Sequence, residues 1–78
     1  MKEVIVYSQP ECPPCEIVKL FLKEHSIPFK EKNIKIDSKA KKELINHYKA
    51  FSTPVTIIDG EAVIGFDLEK ISSLLNIK

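Results

Sequence analysis

An apolar, β-branched run, Val4-Ile5-Val6-Tyr7, is followed shortly by Cys12-Pro13-Pro14-Cys15, and the second cysteine leads straight into residues with helical spacing. A strand of that composition suits a place in a sheet covered on both faces. Pro13 and Pro14 fit the first positions of a helix, where the N–H groups that proline lacks would be unpaired anyway. The chain is therefore committed to a strand that turns into a helix N-terminus with a thiol at the turn. Unpaired backbone N–H groups and the positive end of the helix dipole stabilise a thiolate there. The thiolate is the form of cysteine that attacks disulfides.

The remaining pattern is equally readable. From Glu16 to His25 the apolar residues Ile17, Val18, Leu20, Phe21 and Leu22 leave Glu16, Lys19 and Lys23 as a polar stripe, which predicts a largely buried helix. Ser26-Ile27-Pro28 ends it, because a residue before proline is driven out of the helical region. Phe29 to Ile36 reads as a second strand whose lysines mark it as an edge. Asp37 or Ser38 caps a second helix that runs to about Tyr48, with Ala40, Leu44, Ile45 and Tyr48 on one face. Phe51-Ser52-Thr53-Pro54 breaks that pattern. Val55 to Ile58 and Glu61 to Ile64 flank Asp59-Gly60, a strong signal for a two-residue hairpin. After Gly65-Phe66, Asp67 is placed to cap a last helix with Leu68, Ile71, Leu74 and Leu75 facing inward. The order is strand, helix, strand, helix, strand, strand, helix.

Seventy-eight residues make one small domain, 1–78, with a thin core. A net charge of +1 and lysine as the only basic residue besides histidine give no bidentate forks for phosphates or base edges, so nucleic-acid binding is not expected. No apolar leader precedes the first strand and no stretch reaches membrane length, so a cytoplasmic protein with no membrane partner is expected, acting as a monomer. In that compartment a lone thiol pair is more often catalytic or metal-binding than structural. As a staple it would do little, since so short a loop hardly constrains the unfolded chain. A metal-handling module using the same two thiols is the alternative reading. His25 and His47 could complete a Cys₂His₂ zinc site, but their spacing is unlike the usual ligand pairs, and each suits the C-terminal end of a helix. A copper-chaperone domain has a different element order, strand-helix-strand-strand-helix-strand.

The element order, with Cys12-Pro13-Pro14-Cys15 after the first strand, Thr53-Pro54-Val55 before the third and Gly65-Phe66-Asp67 after the fourth, resembles the glutaredoxin branch of the thioredoxin fold, including the small redoxins that serve ribonucleotide reductase. The resemblance covers essentially the whole chain. It implies an α/β fold, βαβαββα, with a four-stranded mixed sheet in the order 2-1-3-4 flanked by three helices. It also implies a cis bond between Thr53 and Pro54 beside the cysteines, with Thr53 backbone atoms gripping an extended substrate. Pro13 and Pro14 would border the substrate, and Gly65, Phe66 and Asp67 would lie across the groove, with Asp67 meeting the γ-glutamyl end of glutathione in relatives that use it. Two departures weaken the case for glutathione: Gln9-Pro10-Glu11 stands where many relatives have a lysine, and Pro14 stands where they commonly have tyrosine.

The implied activity is thiol–disulfide exchange with protein disulfides or glutathione mixed disulfides. Cys12 attacks as nucleophile and Cys15 resolves the mixed disulfide, with no bound metal or organic cofactor. Reducing equivalents come from glutathione or a thioredoxin-reductase-type flavoprotein. Pro14 has no N–H, so only Cys15 can donate locally to a Cys12 thiolate, and Glu11 adds a negative charge beside it. The Cys12 thiol is thus expected to be more acidic than a free one yet closer to thioredoxin than to strong oxidants. The matching potential is low, at or below roughly −220 mV. Asp67 is accounted for by capping even without a ligand. Tyr7 and Phe66 either line the groove or pack in the core, and Lys30, Lys32, Lys35, Lys39, Lys41 and Lys42 read chiefly as a solvated surface.

Overall fold

The structure, a computed structural model, describes residues 3–77; residues 1, 2 and 78 of the expected domain lie outside the described residues. The elements are β1 (Val4–Ser8), α1 (Pro13–Glu24), β2 (Lys30–Asn33), α2 (Ser38–Tyr48), β3 (Val55–Ile58), β4 (Glu61–Ile64) and α3 (Leu68–Leu75). They form one four-stranded sheet in the order β2-β1-β3-β4, as the resemblance implies. β2 runs parallel to β1, while β3 and β4 are antiparallel to their neighbours.

Alternation along β1 sends Val4 and Val6 to one face and Ile5 and Tyr7 to the other. Val4 and Val6 pack with Ile58, Val63, Val18 and Leu22 of α1, and Ile71 of α3. Tyr7 packs with Val55, Ile57, and Ala40 and Leu44 of α2. Asp59 and Gly60 both adopt positive φ, at 48° and 87°, which is the two-residue hairpin geometry their sequence calls for.

Register places the site. Tyr7 lies opposite Val55, so the residues entering β3 come beside those leaving β1. Val55 in turn lies opposite Ile64, so the residues leaving β4 arrive at the same corner. Three separated sequence motifs therefore converge at one end of the sheet.

Three expectations need correcting. Helix α1 is not largely buried: Cys15, Val18 and Leu22 are, but Ile17 and Leu20 are 43% and 57% exposed. The helix meets the sheet along one stripe, and those two residues lie on its outer side. Strand β2 ends at Asn33 rather than Ile36, because the Asn33 side chain accepts the Lys35 N–H at 2.9 Å and turns the chain. Finally, α1 stops before Pro28 acts. Ser26 is left-handed, and the N–H groups of Ser26 and Ile27 bond back to Lys23 and Leu22, a Schellman closure.

Candidate active site

β1 ends at buried Ser8, and Gln9, Pro10 and Glu11 form an exposed turn in which Glu11 has φ 56°. That turn delivers Cys12 to the N-cap of α1, with Pro13 and Pro14 in the first two helical positions. Cys12 and Cys15 are joined by a disulfide, so the structure shows the oxidised pair. The two sulfurs sit differently: Cys12 is partly open to solvent, whereas Cys15 is 1% exposed.

Two donors converge on Cys12 Sγ. The Cys15 N–H donates to it at 3.2 Å, the one local donor that Pro14 leaves available. The Thr53 hydroxyl lies 3.6 Å away, and since a disulfide sulfur carries no hydrogen, the hydroxyl is the donor. Sequence reasoning missed this second contact, having given Thr53 only a backbone role. A hydroxyl residue just before the proline of this corner was the available signal. After reduction, the same two donors and the helix dipole are aimed at a thiolate, where charge-assisted bonds are strongest.

The Thr53–Pro54 peptide bond is cis. The Pro54 ring is buried, and its carbonyl accepts the Gly65 N–H at 2.9 Å. Among the described residues, no hydrogen bond engages the Thr53 N–H or C=O. Gly65 has φ 81°, a conformation side chains disfavour, and it turns the chain so that Phe66 stands 52% exposed. Asp67 caps α3, accepting the Lys70 N–H at 3.1 Å. The structure thus brings together Cys12, Cys15, Thr53, Pro54 and Gly65. Pro13 is exposed at the first turn of α1 and Pro14 half-buried behind it. No hydrogen bond links Asp67 to Cys12 or Thr53 among the described residues.

A polar brace lies just upstream. The Ser8 hydroxyl donates to Glu31 at 2.6 Å, and Lys19 reaches the same carboxylate at 2.8 Å and Glu16 at 3.1 Å. Lys19 foremost, then Ser8, holds the Glu31 carboxyl below its usual range, and Glu31 in return raises Lys19. The brace ties the end of β1 to β2 and to α1. It is invisible in sequence because its members come from three elements.

Tyr7 faces the core rather than the groove. It is 2% exposed, and its hydroxyl donates to Glu43 at 3.3 Å. His25 caps the C-terminus of α1, the far end of the helix from Cys12, with its ring 4.6 Å from Phe21. His47 meets the Tyr48 ring edge-on in the last turn of α2. Among the described residues no group of three His, Cys, Asp or Glu side chains is arranged to hold a metal ion. No helix among them is long and apolar enough to cross a membrane.

The glutaredoxin family model matches residues 4–63. An uncharacterized glutaredoxin-like 8.6 kDa protein from the rubredoxin operon of Clostridium pasteurianum is 36% identical over 70 residues, covering 90% of this chain and 93% of that protein. Among solved structures, a mutant of the thioredoxin-like protein BC3987 matches with a TM-score of 0.95 at 49% identity, over all of both chains. The glutaredoxin grx-1 of Archaeoglobus fulgidus matches at 0.78 and 29% identity, covering 96% of this chain and 87% of that one.

Proposed function

The chain belongs to the glutaredoxin family, and from that premise we propose that it is a dithiol–disulfide oxidoreductase that reduces protein disulfides in the cytoplasm. Cys12 is the nucleophile and Cys15 the resolving thiol. The observation that supports this most is the unequal setting of the linked sulfurs: Cys12 reaches solvent at a helix N-terminus under two donors, and Cys15 is enclosed.

In the reduced protein the Cys12 thiolate attacks one sulfur of the substrate disulfide, whose S–S bond breaks, and the departing thiolate takes up a proton. Cys15 then loses its proton and attacks Cys12 Sγ, releasing the second substrate thiol and leaving the Cys12–Cys15 bond. The free backbone of Thr53 suits pairing with an extended substrate strand beside the scissile bond. Pro13 and Pro14 border the attacking sulfur on one side, and Gly65 and Phe66 offer an apolar wall on the other. Asp67, once its cap is made, is left with an oxygen for a polar substrate group. The reaction needs no bound cofactor. Electrons return to the pair from glutathione or from a thioredoxin-reductase-type flavoprotein.

Cys15→Ser should trap a mixed disulfide with an oxidised protein substrate, visible by mass spectrometry, while Cys12→Ser should neither trap nor turn over. Trapping by Cys12→Ser alone would reverse the assignment. An NADPH-coupled assay, run once with glutathione and its reductase and once with thioredoxin reductase, identifies the donor. Thr53→Val removes one of the two thiolate donors and keeps the shape. A hydrogen bond to a charged group is worth about 1.5–3 kcal/mol, so the Cys12 thiol should titrate about 1–2 pH units higher in the variant. An unchanged thiolate absorbance titration would show that the hydroxyl contact does not survive reduction.

A further inference from the structure

Of the clustered lysines only Lys32 is ion-paired among the described residues, and Lys35 and Lys41 are the two that line a groove beside the turn before Cys12. Lys32 pairs with Glu43 at 3.0 Å, and Lys19 pairs with Glu31. Among the described residues Lys35 and Lys41 form no ion pair. Both instead line that groove, of about 580 Å³, together with Gln9 and Pro10, which shortly precede Cys12 in the chain, and with Ile34 and Phe51. Among the described residues no acidic side chain lines it. The nearby carboxylates are otherwise placed: Asp37 caps α2 through the Ala40 N–H at 3.0 Å, and Glu43 turns to Lys32 and Tyr7. Glu11 is exposed beside Cys12 but outside the lining.

Phe51 also lines the groove and is 80% exposed, two residues before the Thr53 that touches Cys12. Among the described residues no ring or cation contact engages the Phe51 side chain. A large exposed aromatic beside an unpaired cationic pair is the composition of a partner-binding anchor with a charge selector.

We propose that this groove docks an acidic, extended segment adjoining the disulfide of a protein substrate, with carboxylates at Lys35 and Lys41 and an apolar side chain on Phe51. The role of the groove rests on the oxidoreductase reading, since it selects which disulfide reaches Cys12. It differs from capture of glutathione in drawing affinity from several side chains along a peptide.

The test separates docking from chemistry by using peptides in which serine replaces cysteine, so that no reaction occurs. One carries aspartates and a leucine beside the serine, and its neutral twin carries asparagines in place of the aspartates. Binding to the oxidised protein is followed by fluorescence anisotropy at low salt. The acidic peptide should bind about tenfold more tightly, the sum expected of two exposed charge contacts. Lys35→Gln with Lys41→Gln, or high salt, should bring the ratio close to one. Phe51→Ala should weaken both peptides by about tenfold and leave their ratio unchanged. Equal binding of the two peptides overturns the proposal, as does a preference that persists in the double lysine variant or tighter binding of a single-stranded oligonucleotide. Turnover of the corresponding peptide disulfides, measured apart, tests the oxidoreductase reading itself.

Discussion

The two faces of the sheet are closed in different ways. Under α1 and α3 the sheet presents Val4, Val6, Ile58 and Val63, sealed by Val18, Leu22 and Ile71, with Phe21, Phe29 and Leu68 packed around them. Under α2 it presents Tyr7, Val55 and Ile57 against Ala40 and Leu44, and one helix cannot span four strands. The uncovered margin is filled by polar contacts: Tyr7 and Lys32 both reach the Glu43 carboxylate. The cysteines ride on the helix of the sealed face, and Thr53-Pro54 follows the helix of the thinner one. The candidate site thus lies on the seam between a rigid half that fixes the sulfurs and a more open half that a partner can approach.

The largest test of that contrast is a matched pair of core truncations. Leu22 and Leu44 are both essentially fully buried, one on each face. Leu→Ala in a core costs about 2–5 kcal/mol, the amount depending on how far the site can collapse. Leu22→Ala, held between two helices, should fall near the top of that range. Leu44→Ala should fall near the bottom, because α2 can settle onto the sheet. Denaturant unfolding measures both, and an equal or greater loss at Leu44 would remove the distinction between the faces.

A smaller effect of opposite sign is expected on the sealed face. Thr56 lies between Val6 and Val63 across the strands, completely buried, and its hydroxyl has no hydrogen-bond partner among the described residues. A buried unsatisfied polar group costs about 1–3 kcal/mol. Thr56→Val keeps the shape and should stabilise the protein by about 1 kcal/mol, a rise in Tm of about 4–8 °C for a domain of this size. No change would mean that the face is wetter than its packing indicates.

The same contrast explains what could be read before the structure. The caps, Asp37 of the two candidates Asp37 and Ser38 and then Asp67, and the Asp59-Gly60 hairpin depend on neighbours in sequence, and each appears where the pattern put it. The cysteine pair and its helix N-cap belong to the same local kind. What stayed hidden depends on distant residues meeting: the Thr53 hydroxyl on Cys12, 41 residues apart, and the Ser8–Glu31–Lys19 brace. The exposed side of α1 was misread for a related reason. Ile17 and Leu20 are apolar, and only the number of layers around a helix decides how many of its faces are covered. The lysine cluster looked uniform in sequence, yet the fold divides it into paired and unpaired members.

The smallest effect belongs to the margin of the α2 face. Burial first, and then the charge of Glu43, push the Tyr7 hydroxyl up to about 12, with Tyr48, the hydrogen bond to Glu43 and Asp37 adding to the shift. The folded pKa is above the unfolded value of about 10, so the native state holds the proton more firmly than the unfolded chain does. The resulting stability is fully present below pH 10 and is lost as pH rises through 12. At neutral pH, Tyr7→Phe should therefore cost about 1 kcal/mol or less, the worth of one ordinary hydrogen bond. Above pH 10 the same variant should lose stability less steeply than the parent. Tyrosinate absorbance in the folded protein should resolve one group titrating at about 12, and Glu43→Gln should bring it down by removing the second largest cause while leaving burial in place. A Tyr7 that titrates near 10 in the folded protein would mean that water reaches its hydroxyl, and that the thinner face is open down to the sheet.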